Sequence, residues 1–135
     1  MSQRPVPTTT DHDTGGFFAA AKEGKLALRT CTECNLVLHL PKAYCHGCGS
    51  WATDWREVNP TGTLWSYTTT ERELRAGFPA PYTVVVVELD DAPGARLVGH
   101  LPGRPELTIG TPMRATFERI DDDVVLPQWE VVTAG

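Results

Sequence analysis

The sequence predicts a mostly β chain with one short helix near its N-terminal end. Three observations carry that expectation. Two Cys-x-x-Cys pairs, Cys31-Thr-Glu-Cys34 and Cys45-His-Gly-Cys48, stand ten residues apart. From Asn59 onward, five segments alternate or mass apolar side chains between Gly, Pro and Asp turns. One stretch alone, around Phe17-Phe18-Ala19-Ala20-Ala21, reads as helix. The cysteine pairs point to a rubredoxin-like zinc ribbon, and the strand segments to a small Greek-key barrel of the OB-fold type. The expected organisation is a flexible tail over 1–13, helix plus ribbon over 14–58, and a five-stranded OB-fold barrel over 59–135.

The tail carries Pro5, Pro7, three threonines and two acids around His12. Thr14 suits a helix cap and Gly24 a helix stop. A helix of about two to three turns is marginal alone and must dock on something. Phe17 and Phe18 are adjacent and point in different directions, so one can pack on this chain and the other can meet a partner.

Lys25–Arg29 reads as a strand entering the first cysteine turn, and Asn35–Leu40 as the return strand, closed by Pro41. Two sulfurs three residues apart on a tight turn can face one ion, and a second such turn completes a tetrahedron. Cys31, Cys34, Cys45 and Cys48 are therefore read as the ligands of one structural Zn2+, with no position left open for catalysis. Gly47 and Gly49 suit a turn whose amides fold round sulfur. Two disulfides would need an oxidising compartment, and no secretory leader is visible. A redox Cys-x-x-Cys normally comes as a single pair at a helix start. Iron fits four thiolates as zinc does. His46 is expected to face solvent and His39 to lie on the strand surface. Trp51–Val58 reads as a strand or crossover, with Trp51 lidding the metal site or wedged between ribbon and barrel.

In the barrel, Thr63–Thr69 is the first strand, with Trp65 and Tyr67 expected on a single face. Tyr82–Asp90, Arg96–Leu101, Pro112–Ile120 and Val124–Val132 follow, with Met113, Ala115 and Phe117 sharing a face and Asp121–Asp123 forming a hairpin turn. Gly99 inside the third segment suggests a bend or bulge. Thr83, Val85, Val87 and Leu89 should face the core. The opposite face (Tyr82, Val84, Val86, Glu88) is too apolar for open solvent, so the helix, the ribbon or another protein should cover it. The long connection Thr70–Pro81 presents Arg72, Arg75 and an apolar tip at Phe78. It could meet a phosphate-bearing thioester or a partner's acidic rim, or it could be a solvated loop whose arginines pair with Glu71 and Glu73.

The net charge is −5. Residues 1–58 hold six Lys/Arg and six Asp/Glu, and residues 59–135 hold six and eleven, so the barrel carries the whole deficit. That balance weighs against nucleic acid, which is bound by neutralising phosphates. No apolar run approaches the ~20 residues of a membrane span, and with no leader or lipidation motif the expected location is cytoplasmic. No phosphate loop, nucleophile elbow, metalloprotease helix or acid pair occurs. His100 is the one candidate base in the barrel, and a lone strand-end histidine is seldom one. The expected catalytic set is none.

With these residues laid out, the chain resembles over nearly its whole length the zinc-ribbon plus OB-fold group of acyl-CoA-associated proteins known as domain-of-unknown-function family 35. The resemblance rests on Phe17-Phe18, Lys22-Glu23-Gly24-Lys25-Leu26, Arg29-Thr30-Cys31-Thr-Glu-Cys34, Cys45-His-Gly-Cys48-Gly49-Ser50, Gly62–Thr68, Pro81-Tyr82 and Val125-Leu126-Pro127. It implies a non-catalytic subunit that binds a thiolase-superfamily partner, such as a sterol-carrier-type thiolase or a steroid side-chain aldolase. It also implies a possible MaoC-type enoyl-CoA hydratase partner, expected here as a separate polypeptide. Phe17, Phe18, Arg72, Arg75, Phe78 and Tyr82 are the candidate partner or acyl-CoA surface. The rival functions are a single-strand nucleic-acid module and a stand-alone acyl-CoA-binding protein or enzyme.

Overall fold

The computed structural model describes residues 4–132. Helix α1 (Gly15–Lys22) begins at a turn made by Asp11, whose carboxylate accepts from the Thr14 amide at 2.9 Å and also from the Thr14 hydroxyl. Thr14 holds the N-cap position, as expected, but makes no side-chain cap bond; Asp11 instead braces the turn that leads into it. The helix stops at Gly24, which takes φ +73°, while Gly24 and Lys25 donate to the Ala21 and Ala20 carbonyls. Gly16 lies against the Trp55 indole so closely that a Cβ there would fall 2.3 Å from it.

Strand β1 (Leu26–Cys31) pairs antiparallel with β2 (Thr53–Val58), Leu26 opposite Val58 and Cys31 opposite Thr53. All six β1 residues are buried, so the alternation visible in sequence does not mark an exposed face. Arg29, only 6% exposed, donates to the His12 carbonyl at 2.8 Å and to Thr53 Oγ1 at 3.0 Å, and its guanidinium lies 5.4 Å from the Trp55 ring. These bonds tie the approach to α1 onto the ribbon. The return strand expected at Asn35–Leu40 does not form. The segment meets β1 at one bridge, Thr30 with Val37, plus bonds Cys31 N–H to Leu36 O and Leu38 N–H to Arg29 O. It then leaves to carry the second cysteine pair, so its backbone serves the metal turn rather than a ladder.

The remaining strands, β3 (Thr61–Thr70), β4 (Tyr82–Leu89), β5 (Arg96–Pro102), β6 (Pro112–Asp121) and β7 (Val124–Val131), form one antiparallel sheet in the order β5-β4-β3-β6-β7. Curling that sheet brings β5 and β7 together as an OB-fold barrel. Thr83, Val85, Val87 and Leu89 are buried, as the alternation of β4 predicts, and Val85, Val87 and Leu89 join a core with Leu64, Leu97, Met113, Ala115 and Trp129. Leu26, Leu28 and Val58 of the ribbon strands join the same core.

Two expectations for the barrel need correction. A bulge between Leu64 and Ser66 adds one residue to β3 and reverses its side-chain parity. Trp65 therefore stacks outside, 3.9 Å from the Arg96 guanidinium, while Tyr67 pairs with core-facing Val85 and donates to the Leu107 carbonyl. They do not share a face. Gly99 is not a bend, since β5 stays in register with β4 through it. It is glycine because Trp129 lies on it: a Cβ would stand 2.8 Å from Trp129 Cδ1.

The β5/β7 seam is closed by side chains. Gln128 Oε1 accepts from the His100 amide at 2.8 Å, and Gln128 Nε2 donates to Glu118 at 3.1 Å. Arg4 Nη1 completes the chain, donating to the same Glu118 oxygen at 2.8 Å. Residues 4–13, part of the expected flexible tail over 1–13, thus make defined contacts with both the ribbon and the barrel.

Candidate functional site

The cysteine turns are two copies of one local design. Asn35 N–H donates to Cys31 O and Gly49 N–H to Cys45 O, both at 2.9 Å. The residue after each second cysteine takes a left-handed conformation, Asn35 at φ +63° and Gly49 at φ +79°. Gly47, expected to share that role, instead lies against Leu36, where a Cβ would meet Cδ2 at 2.9 Å.

All four sulfurs lie within 4.8 Å of one another, with Cys31 to Cys48 and Cys34 to Cys45 at 3.6 Å. That spacing is far from a disulfide length and close to the edge of a tetrahedron with metal–sulfur bonds of about 2.3 Å. Cys31 and Cys45 are buried, and Cys34 and Cys48 face outward. Burial opposes ionisation of Cys45, but the Cys48 and Gly47 amides and neighbouring sulfurs bring it down to about 7. The Ser50 amide favours the Cys48 thiolate, yet Cys31, burial and the remaining sulfurs push it up to about 12. Four thiols this close cannot ionise independently; a divalent cation resolves that conflict. The donor set fits one four-coordinate zinc.

His46 is exposed, as expected. His39 is half-buried, and burial lowers its pKa, opposed by a hydrogen bond that its imidazole donates to the Arg96 carbonyl. Trp51 neither lids nor wedges: it is 74% exposed and stacks on Tyr44 at 5.1 Å between centroids. Leu40 is likewise an exposed apolar side chain.

A second feature lies at the barrel seam, a cleft of about 440 Å3. Phe17, Phe78 and Tyr82 line it, together with Val84, His100 and Leu126. Phe78, Tyr82 and His100 form a mutual aromatic cluster with centroids 5.3 to 6.1 Å apart. His100 Nε2 and Trp129 Nε1 are buried without a hydrogen-bond partner among the described residues. Burial, then the Arg4 charge, lowers the His100 pKa, opposed by Glu118 and its own backbone. Phe18 packs edge-on to Phe17 at 5.4 Å. Arg72 and Arg75 are exposed on the loop and do not line the cleft; Glu71, offered as their partner, is held by Arg104 at 2.7 Å. On the outer face of β4, Tyr82 and Val84 share the lining of the cleft with Phe17, Arg4 and Pro5, while Val98, across from Val86, stays 64% exposed. Arg4, Glu118 and Gln128 escaped the sequence reading, because their meeting depends on barrel closure.

The family model for the ChsH2 rubredoxin-like zinc ribbon domain matches residues 18–52, and that for the ChsH2 C-terminal OB-fold domain matches residues 55–118. A chain of the solved Ltp2-ChsH2(DUF35) aldolase is 31% identical, superposing with a TM-score of 0.82 over 95% of this chain and 98% of that one. The chain belongs to the ChsH2 (DUF35) family. A DUF35 protein of unknown function from Sulfolobus solfataricus shares the fold at 16% identity, with a TM-score of 0.62 over 92% of this chain and 86% of that one. A probable enoyl-CoA hydratase alpha subunit from Thermomonospora curvata is 33% identical over 126 residues, 92% of this chain. The match spans 39% of that relative's length. The family's zinc ribbon and OB-fold coincide with the cysteine turns and the barrel described above. No helix among the described residues is long and apolar enough to cross a membrane.

Proposed function

We propose that the protein is a non-catalytic, zinc-binding subunit of a complex with a thiolase-superfamily acyl-CoA enzyme. The partner in this reading is a sterol-carrier-type thiolase or retro-aldolase of steroid side-chain or fatty-acyl breakdown in the cytoplasm. A MaoC-type enoyl-CoA hydratase is a second candidate partner. The observation that carries it is the likeness, over nearly the whole chain, to a chain of an aldolase named for two components, Ltp2 and ChsH2. The hydratase subunit from Thermomonospora curvata supports acyl-CoA chemistry as the setting.

In this reading the structural zinc stiffens the ribbon, and the apolar surfaces do the binding. Phe17, Phe78 and Tyr82 supply aromatic anchors at the cleft, Phe18 packs on Phe17 beside it, and Arg72 and Arg75 supply exposed charge on the loop before β4. Co-expression with a thiolase-like protein followed by size exclusion should give a single co-eluting species. Replacing Phe78 and Tyr82 together by alanine should weaken that association by about 2–4 kcal/mol, the loss typical of buried aromatic anchors. Separate elution of the wild-type chains would overturn the subunit reading. An unchanged dissociation constant in the double variant would move the interface elsewhere.

The cleft also favours a second reading, a chain that binds acyl-CoA by itself, because its volume falls in the range of small-molecule sites. Calorimetry of the isolated chain with acyl-CoA thioesters separates the two.

A further inference from the structure

The segment carrying Arg4 and Pro5 forms part of the cleft's wall, both residues lining it beside Phe78 and Tyr82. One side chain fastens it there. Arg4 Nη1 donates to Glu118 at 2.8 Å, its Nε reaches the Gly77 carbonyl at 3.4 Å, and its guanidinium lies 5.3 Å from the Phe78 ring centroid. These contacts join three separate parts of the chain: the N-terminal segment, the loop before β4, and β6. Glu118 in turn holds Gln128, which accepts from the His100 amide, so the fastening ends on the cleft's own wall.

We propose that residues 4–5 form a charge-latched strap over the apolar cleft, closed in the isolated chain and displaced when the cleft is occupied. The inference rests on reading the cleft as a binding surface, and it adds how access to that surface is controlled. The Arg4–Glu118 pair is only partly shielded, with side-chain exposures of 19% and 43%. A pair in that environment is strong enough to bias a segment and weak enough to open. The closed arrangement also leaves His100 Nε2 buried with no hydrogen-bond partner among the described residues, an unfavourable state that opening relieves by admitting water or a ligand oxygen. Phe78 and Tyr82, beneath and beside the latch, are the surfaces that opening would uncover. The occupant is an uncharged apolar group, because the walls are aromatic and aliphatic while the polar groups stand at the latch and the seam.

The test uses the full chain and a neutral solvatochromic dye, Nile red, titrated against wild type, Arg4→Gln and Arg4→Gln/Phe78→Ala. The latch predicts a gain in dye affinity of about two- to fivefold for Arg4→Gln, the range that loss of a partly exposed ion pair supplies. The gain should vanish on adding Phe78→Ala, which places the dye in this cleft. Wild-type affinity should rise between about 50 mM and 500 mM salt as the pair is screened, and that rise should be smaller in Arg4→Gln. Equal affinity in wild type and Arg4→Gln, or weaker binding in Arg4→Gln, would overturn the latch, as would a gain indifferent to Phe78. Partner co-elution reports on the subunit reading separately: wild type and Arg4→Gln that both co-elute, with no change in dye uptake, leave that reading intact and remove the strap alone.

Discussion

Replacing Gly99 by alanine should destabilise the barrel, although strand propensity argues the reverse. A glycine inside a strand costs about 0.5–1 kcal/mol relative to alanine, so the chain entropy favours the variant. The structure opposes it on two counts. The added Cβ would stand 2.8 Å from Trp129 Cδ1 and 3.3 Å from both Gln128 Oε1 and Val85 Cγ2. Trp129 is 1% exposed and Val85 fully buried, so neither can swing into solvent. Overpacking of this kind costs about 1–3 kcal/mol. Moving Gln128 would also loosen its bond to the His100 amide, worth about 1 kcal/mol. The balance is a net loss of about 1–3 kcal/mol. For a chain of this size each kcal/mol lowers Tm by about 3–5 °C, so a drop of about 5–10 °C is expected at mid-range. Thermal unfolding followed by far-UV circular dichroism reads the loss, and tryptophan emission reports the strain at Trp129. Adding Trp129→Phe, which trims the clashing ring, should cost less in the Gly99→Ala background than in wild type. A Gly99→Ala protein as stable as wild type, or strictly additive losses in the pair, would refute the reasoning.

Other outcomes follow from the same coordinates. Cys45→Ser should sharply lower bound zinc by elemental analysis and disorder the knuckles while β3–β7 remain folded, because the cysteine cluster has little apolar support beyond Leu36 and Leu38; full metal content would contradict the ligand assignment. Arg29→Ala should cost about 2–3 kcal/mol, since a nearly buried guanidinium loses its bonds to His12 O and Thr53 Oγ1, and amide exchange should accelerate around residues 11–14; unchanged exchange would show that Arg29 does not hold that segment. His100 has a folded pKa below its ordinary 6.5, chiefly from burial and then from Arg4. Its neutral form therefore favours the fold above about pH 6.5, and that contribution is lost as pH falls through the folded value. His100→Gln should flatten the fall in urea midpoint over that interval; an identical slope would assign the acid sensitivity to other groups.

The metal site was legible because its information is local: two cysteine pairs fold as the same short turn wherever they lie. The β4 core positions were legible for a similar reason, a strict alternation with one face sealed. Asn35 was missed because a left-handed asparagine looks like any loop residue until its hydrogen bond to Cys31 O is drawn. Trp65 and Tyr67 were placed together because alternation assumes an unbroken ladder, and one extra residue in β3 reverses it. The missing return strand has another cause, a segment whose apolar pattern serves the small core around Leu38 and Cys45 rather than a sheet face. Arg4, Glu118 and Gln128 lie far apart in the chain, so their network appears only when β5 meets β7. Gly99 shows the same limit, since its meaning depends on a tryptophan thirty residues later.

Strand β1 is also a mechanical statement. Leu26 and Leu28 are embedded among barrel residues, while Cys31 at its other end anchors the sulfur cluster. One short rod is therefore clamped at both ends by different materials, oil on one side and thiolates on the other. The knuckles cannot pivot freely relative to the barrel without dragging leucines out of their bed. A molecule gripping the outer cysteine turns would in effect be holding the whole body by a stiff handle.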